Sequence, residues 1–289
     1  MYWAFVVNPT AGTGFAVKTM KNLEERLRKT GIEYKTFLTE RPGHATKIAS
    51  ELAKQEKVYT VVAVGGDGTA AEVAAGLCKT GKPMGIIPAG TGNDFIKSVG
   101  IPNDPSKALD LMLSRQPIDT DTGTVNGKFF LNVCGTGFDV TVLDYAESLK
   151  DKHRGMTPYF IGLLKAIFHY ESVHLRVTAD GKTEEGRYLV CSIANGRYIG
   201  GGIPICPQAD PTDGKLNLVL IQHRARWQIP FYLPGLMMSR DLDFKITDHR
   251  FVSLVRIEGR NLRINIDGEI CSMDSAEFCI HPASLRLIR

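Results

Sequence analysis

Gly65-Gly66-Asp67-Gly68-Thr69 sets three glycines around a carboxylate, at the point where an apolar run ends and a helical pattern begins. Glycines let backbone N–H groups approach an anion, and a helix start adds unpaired N–H groups and positive dipole, so the arrangement suits phosphate. Asp67 inside such a loop repels phosphate unless a cation lies between, which points to Mg²⁺. A tight turn without a ligand is the plain alternative. A second loop, Pro88-Ala89-Gly90-Thr91-Gly92-Asn93-Asp94-Phe95, follows the next apolar run. Thr91 and Asn93 can donate to phosphate oxygens, while Asp94 can hold metal or cap the short helix after it. A third, Asn8-Pro9-Thr10-Ala11-Gly12-Thr13-Gly14, follows the first apolar run; its lysine comes as Val17-Lys18-Thr19, so the Gly-Lys-Ser/Thr ending of a Walker loop is missing. Gly66-x-Gly68-x-x-Ala71 meets a loose dinucleotide fingerprint, but the acidic residue expected about 20 positions on is absent, with Pro88, Ala89 and Gly90 in its place.

The elements that must position these loops alternate in period. Trp3 to Val7, Tyr34 to Leu38, Tyr59 to Val64 and Met84 to Ile87 read as strands; Phe15 to Lys29, Ala45 to Lys57 and Thr69 to Cys78 read as helices. That alternation predicts a mostly parallel α/β sheet with the glycine loops at the carboxyl ends of its strands, the edge where such sheets bind ligands. Three glycine-bearing loops at one edge call for a polyphosphate.

After about residue 120 the texture changes to short strand-like runs: Lys128 to Val133, Val173 to Ala179, Arg187 to Ile193, Leu216 to Ile221, Val252 to Ile257 and Leu262 to Ile266. Asp180-Gly181 and Asp267-Gly268 supply turn signals, and one helical insertion runs from Pro158 to Tyr170. This reads as an antiparallel sandwich or barrel. The expected organisation is an α/β nucleotide-binding domain over 1–122 and a β-rich domain over 123–281, with the cleft between them.

Composition narrows the partners. A formal net charge of +4 suits an anionic nucleotide or an acidic membrane surface, without the basic clustering of a nucleic-acid binder. The six cysteines form no C-x-x-C pair, so neither a zinc site nor a disulfide framework is suggested and a reducing cytoplasm fits. MYWAFVVNPT reads as a first strand and not a signal peptide, and there is no apolar run of the roughly 18 residues that reads as a membrane span.

NPTAG near the start, TERPGHA, GGDGTAAEV, IPAGTGNDF and a late IDGE together resemble the bacterial diacylglycerol kinase and lipid kinase family, related to sphingosine kinases and more distantly to NAD kinase. The resemblance covers nearly the whole chain, and it implies that the last residues, about 282–289, return to the first domain. GGDGT alone is shared with NAD kinases, whereas GGDGT followed by PAGTGNDF is more specific.

The resemblance implies an ATP- and Mg²⁺-dependent kinase acting on a lipid hydroxyl presented at a membrane, with peripheral contact at the inner face. It implies an ATP site lined by Asn8, Pro9, Thr10, Ala11, Gly12, Thr39, Gly65, Gly66, Asp67, Gly68, Thr69, Ala70, Ala71 and Thr91. Asp67 would sit near catalytic Mg²⁺, helped by Asp94, and Asp121 matches a family aspartate near the cleft. Glu269 matches the proposed general base; from the residues alone it reads as a solvated turn glutamate. A structural Mg²⁺ is implied at Asp213, with the backbones of Asp210 and Lys215. By residue type Asp210 and Asp213 beside Gly214 suit a hard cation or an Asp-rich turn equally. Two departures stand out: Ala71 where the family often has Asn, and Lys97 where Arg is common.

His44 reads as a helix-start residue with a capping or packing role. His223 to Leu233 joins basic and aromatic residues, and Tyr159 to Phe168 is apolar; each reads first as packing, then as membrane contact or lipid pocket. The rival readings are an NAD-kinase-like transferase on a soluble alcohol and a nucleotide-binding lipid sensor without turnover.

Overall fold

A computed structural model describes residues 1–149, 157–231 and 247–289. The chain divides into two compact units, Met1–Thr122 with Pro282–Arg289, and Gly123–His281.

In the first unit the chain runs β1 (Tyr2–Val7), α1 (Phe15–Thr30), β2 (Tyr34–Leu38), α2 (His44–Ala53), β3 (Val58–Gly65), α3 (Asp67–Leu77), β4 (Pro83–Pro88), α4 (Asp94–Ser98) and α5 (Pro105–Ser114). β1 pairs in parallel with β2 and β3, and β3 with β4. Every residue of β1 is buried, as is every residue of β3 except Tyr59, because a parallel sheet is covered on both faces. α1 buries Met20, Leu23 and Leu27 at helical spacing and stops where Gly31 turns left-handed at φ 70°. α2 ends at Ala53, short of the predicted Lys57, since Val58 N–H bonds back to Gln55 O and turns the chain into β3. α3 starts at Asp67, two residues before the predicted start, which puts the carboxylate itself in the first turn. α5 went unpredicted, although Asp104 caps it by accepting from Lys107 N–H and Pro105 opens it.

β5 (Pro117–Val125) leads into the second unit. There follow β6 (Lys128–Phe130), β7 (Val133–Gly137), α6 (Phe138–Glu147), α7 (Thr157–His169), β8 (Val173–Ala179), β9 (Lys182–Ala194), β10 (Leu216–Gln222), β11 (Thr247–Val252), β12 (Leu254–Gly259), β13 (Arg263–Ile266), β14 (Glu269–Ser272) and β15 (Ser275–Ile288), whose last residues belong to the first unit. Pairing is antiparallel in the order β14-β13-β7-β9-β8-β12, and β10 with β11 branches from β9.

Strand alternation builds two cores from one sheet. Leu216, Leu218 and Leu220 of β10 pack with Cys191 and Ile193 of β9 in the sandwich core. Val219 and Ile221, one residue out of phase, pack under Leu163, Ala166 and Ile167 of α7. The single helical insertion expected over Pro158 to Tyr170 is therefore a pair of helices, since α6 was missed.

Two predicted strands are broken, and by the same device. Lys128 to Val133 splits because the Asp267 carboxylate accepts from the N–H groups of Leu131 (2.6 Å), Asn132 (2.9 Å) and Val133 (3.1 Å). Val252 to Ile257 splits at Ser253, whose N–H donates to Asp180 at 3.1 Å, as does that of Leu254 at 3.0 Å. Both aspartates open Asp-Gly turns with positive φ at both residues, the hairpin geometry that matches strand twist. No helix among the described residues is long and apolar enough to cross a membrane.

Candidate active site

The three glycine loops of the first unit form one assembly, locked backbone to backbone. Ala89 N–H donates to Gly65 O at 2.7 Å, and Asn8 N–H to Val64 O at 3.1 Å. A Cβ at Gly90 would overlap Gly66 Cα, so the first and second loops touch where only glycine permits it. Gly12, at φ +57°, lies against the Ala89 carbonyl and brings in the third loop. Asn8 Nδ2 donates to Thr69 Oγ1 at 3.2 Å, and Asn8 Oδ1 accepts from Thr10 N–H and hydroxyl at 3.1 and 2.8 Å.

A cavity of about 350 Å³ opens beside this assembly. Asn8, Pro9, Thr10, Thr39, Gly68 and Thr69 line it, six of the expected nucleotide residues. Ala11, Gly12, Gly65, Gly66, Asp67, Ala70, Ala71, Thr91, Asn93 and Asp94 do not line it. Buried Ala70 packs in the core, and Asn93 spans the second loop by donating to Gly90 O and Asn103 Oδ1 at 3.0 and 2.9 Å. Arg41 and Glu72, which the reading missed, line the cavity. Glu72 also accepts from Ala45 N–H at 3.0 Å and so closes the α2 start; a glutamate three residues after Thr69 in the same helix was the available signal. His44 opens α2 and accepts from Glu40 N–H at 3.1 Å, which ties down the loop before the helix; α2 itself has no side-chain cap.

Asp67 and Asp94 form the acidic centre. A Cβ at Gly92 would lie 3.1 Å from Asp67 Oδ2 and 3.5 Å from Asp94 Oδ2, so both carboxylates converge on space that a glycine leaves open. Asp67 accepts from Phe95 N–H at 3.1 Å, and Asp94 pairs with Lys97 at 2.8 Å. Burial pushes the Asp67 carboxyl above its ordinary range and the Asp94 charge adds to that, against the lowering by Phe95 N–H and Lys97. Two carboxylates on a shared space fit a Mg²⁺ ion, which takes one or two of them together with phosphate oxygens and water. Asp121 is buried, and its carboxylate accepts from Ala283 N–H at 2.7 Å.

In the second unit Glu269 opens β14, directly after the Asp267-Gly268 turn. Its side chain is 73% exposed and pairs with Lys128 at 2.9 Å. Burial pulls the Lys128 ammonium down, but Glu269 and Cys271 outweigh it and the group titrates above its usual value. Asp210 accepts from Thr212 N–H and hydroxyl, and Asp213 Oδ1 from Lys215 N–H at 2.8 Å, two turns in succession. No group of three or more metal-ligating side chains occurs among the described residues.

A second cavity, about 370 Å³, lies among α6, α7 and the sheet, walled by Phe138, Val142, Tyr159, Leu163, Val190 and Ile203. Asp139 stands in this apolar wall. Its Oδ2 accepts from Asn265 Nδ2 at 3.3 Å, while Oδ1 is buried without a partner among the described residues. Burial raises the Asp139 carboxyl from 3.8 to about 6. The folded state thus holds this proton more tightly than the unfolded chain, and stability falls as pH rises from about 4 through about 6, by at most ~3 kcal/mol. Asp139→Asn is expected to flatten that dependence and to raise the urea midpoint at neutral pH; equal pH slopes in wild type and variant would show the carboxyl to be solvated.

Residues 2–125 match the diacylglycerol kinase catalytic domain, and residues 132–289 the YegS C-terminal NAD kinase beta sandwich-like domain. The diacylglycerol kinase of Mycobacterium tuberculosis is 30% identical over 292 residues, covering 98% of this chain and 94% of the relative. The chain belongs to the diacylglycerol kinase family. A Staphylococcus aureus diacylglycerol kinase is 29% identical over 273 residues, with 91% of this chain and 84% of the relative covered. Two solved Bacillus anthracis chains share the fold, at TM-scores of 0.82 and 0.76 with 23% and 22% identity; each comparison covers 99% of this chain and 96% of the other, and the second is a diacylglycerol kinase. The activity of this diacylglycerol kinase family member is that of an ATP-dependent lipid kinase, a phosphotransferase with an alcohol acceptor.

Proposed function

We propose that the chain transfers the γ-phosphoryl group of ATP to the hydroxyl of a diacylglycerol-like lipid taken from a membrane, on the cytoplasmic side where ATP is available. The second cavity carries the choice of a lipid acceptor over a soluble alcohol: its walls are aromatic and aliphatic, with Asp139 and Asn265 the acidic and amide groups among them. Asn8, Thr10, Gly68 and Thr69 bind the nucleotide in the first cavity, where Arg41 adds positive charge toward phosphate. Asp67 and Asp94 are the residues that would hold Mg²⁺, which when bound neutralises charge on the transferring phosphate. Glu269 accepts the hydroxyl proton as the lipid oxygen attacks. A second cation at Asp213, with backbone carbonyls of Asp210 and Lys215, is proposed as structural. Radiolabelled ATP offered with diacylglycerol, phosphatidylglycerol, a sphingoid base, undecaprenol and NAD tests the reading. Label in diacylglycerol is expected; label in NAD alone would replace the lipid with a soluble acceptor.

A further inference from the structure

The cavity among α6, α7 and the sheet combines an apolar wall with one carboxylate. Tyr159, Phe160 and Leu163, from the apolar stretch Tyr159 to Phe168, supply part of that wall, together with Phe138, Val142 and Val190. The described part of His223 to Leu233 does not line it, and Tyr232 and Leu233 lie outside the described residues. At about 370 Å³ the cavity is near the low end of the range for small-ligand sites, which suits one alkyl chain better than two.

Asp139 is the acidic group in this wall, and it has no cation. Among the described residues no lysine, arginine or histidine lines the cavity. The arginine of β13 and the lysine of α7 are engaged elsewhere: Arg263 holds Asp144 through two bonds of 2.7 Å, and Lys165 stands over the Tyr145 ring at 5.7 Å. Asp139 accepts from Asn265 Nδ2 at 3.3 Å. That amide cannot turn away, because Asn265 Oδ1 accepts from Gly268 N–H at 2.8 Å. Acceptor capacity remains, since a carboxylate offers about four sites and Asp139 Oδ1 has no partner among the described residues. Burial raises the carboxyl to about 6, so at neutral pH it is mostly ionised, and no cation offsets the cost of the buried charge.

We infer that this cavity binds a single-chain lipid amine, with the alkyl chain along the aromatic and aliphatic wall and the ammonium on Asp139. The choice among chain ends follows from charge. A carboxylate end meets repulsion from Asp139. A hydroxyl end bonds to Asp139 and leaves its charge standing. An ammonium end bonds to it and neutralises it, a charge-assisted bond in apolar surroundings. Burial of the chain against the wall supplies affinity common to all three. This is the cavity proposed for the acyl chain of the acceptor, so a bound amine competes with the acceptor. The competition rests on the lipid-kinase reading; the binding itself does not.

The test is isothermal titration of the full chain, without ATP or acceptor, with decylamine, decanol and decanoate below their micelle concentrations at neutral pH. Decylamine is expected to bind roughly tenfold or more tighter than decanol, and decanoate weakest of the three. Asp139→Asn should bring the amine down to the affinity of the alcohol while decanol still binds, which shows the cavity intact. Val142→Phe fills the space and keeps Asp139, and it should weaken both ligands. Asparagine has the shape of aspartate, so Asp139→Asn folds even if Val142→Phe does not. An amine that binds no tighter than the alcohol, or a preference for the amine that survives Asp139→Asn, would overturn the inference. So would amine binding undiminished by Val142→Phe, which would put the ligand on the surface. In turnover assays decylamine should raise the KM for short-chain diacylglycerol and leave that for ATP unchanged. Asp139-dependent amine binding that spares turnover would overturn the competition and take the acceptor out of this cavity, while the amine site stands.

Discussion

Asp67→Asn lowers kcat by roughly 10³-fold or more in a protein that folds as well as the wild type. The two halves of that expectation have separate causes. Asp67 and Asp94 converge beside Gly92 among the phosphate loops, where a negative charge has no role in packing but is what a cation between protein and nucleotide requires. Burial has already pushed the Asp67 carboxyl upward, so its ionised form is disfavoured in the folded chain. The sign follows: ionised Asp67 subtracts from stability above its folded pKa, and the penalty vanishes as pH falls below the unfolded value. Asparagine keeps an oxygen for Phe95 N–H, 3.1 Å away in the wild type, and relieves the penalty. Thermal melts and steady-state kinetics on one preparation check both halves. A variant that turns over normally would refute the role, and one that melts far lower would recast Asp67 as structural.

Glu269→Gln should cost about 10²- to 10⁴-fold in kcat, the span of general-base contributions, with ATP affinity nearly unchanged. The transition state of phosphoryl transfer is loose and the proton leaves late, so a base supplies a fraction of the acceleration and no more. The residue is fixed in backbone and free in side chain. Asp267, two positions earlier, is held by three N–H groups, so the turn that presents Glu269 is rigid, while the carboxylate reaches solvent and meets Lys128. Isothermal titration with a non-hydrolysable ATP analogue, beside turnover of lipid, separates the two quantities. Turnover close to wild type, or a loss of nucleotide affinity as deep as that of Asp67→Asn, would move the base elsewhere.

What the sequence made legible was what period and turn chemistry encode. The buried strands of the first unit stood out because both faces are covered, so Val58–Gly65 is a nearly unbroken apolar run. The glycine loops were recognisable because close backbone approach admits no other residue. Hidden were the groups whose roles depend on distant partners. Asp180 and Asp267 announce a turn, but nothing nearby says that their carboxylates reach across to break a neighbouring strand. Asp139 looks like an ordinary residue in a helix start, and only the surrounding apolar wall lifts its carboxyl to about 6. Lys128 shows no motif at all, and its pairing with Glu269 spans 141 positions. Arg41 lies inside TERPGHA, two residues after Thr39, and nothing in its type or spacing marks it as a lining residue. α6 was lost because Phe138–Glu147 follows directly on β7, with no loop to separate the two periods.

The return of Pro282–Arg289 to the first unit has a consequence for how the chain is made. Arg286 and Leu287 pair with Pro83 and Met84 of β4, Ser284 bonds Thr122 at 2.7 Å, and Leu285, Leu287 and Ile288 are buried. The nucleotide-binding unit therefore holds a place open in its sheet while roughly 160 later residues leave the ribosome, about ten seconds at bacterial speeds. During that interval Met84, Ile86 and Ile87 lie on an unpaired parallel edge, the kind of surface on which nascent chains stick to one another. The strand that completes the first unit's sheet is thus made long after the rest of that unit, and the interval before it is when a chaperone has the most apolar strand to cover.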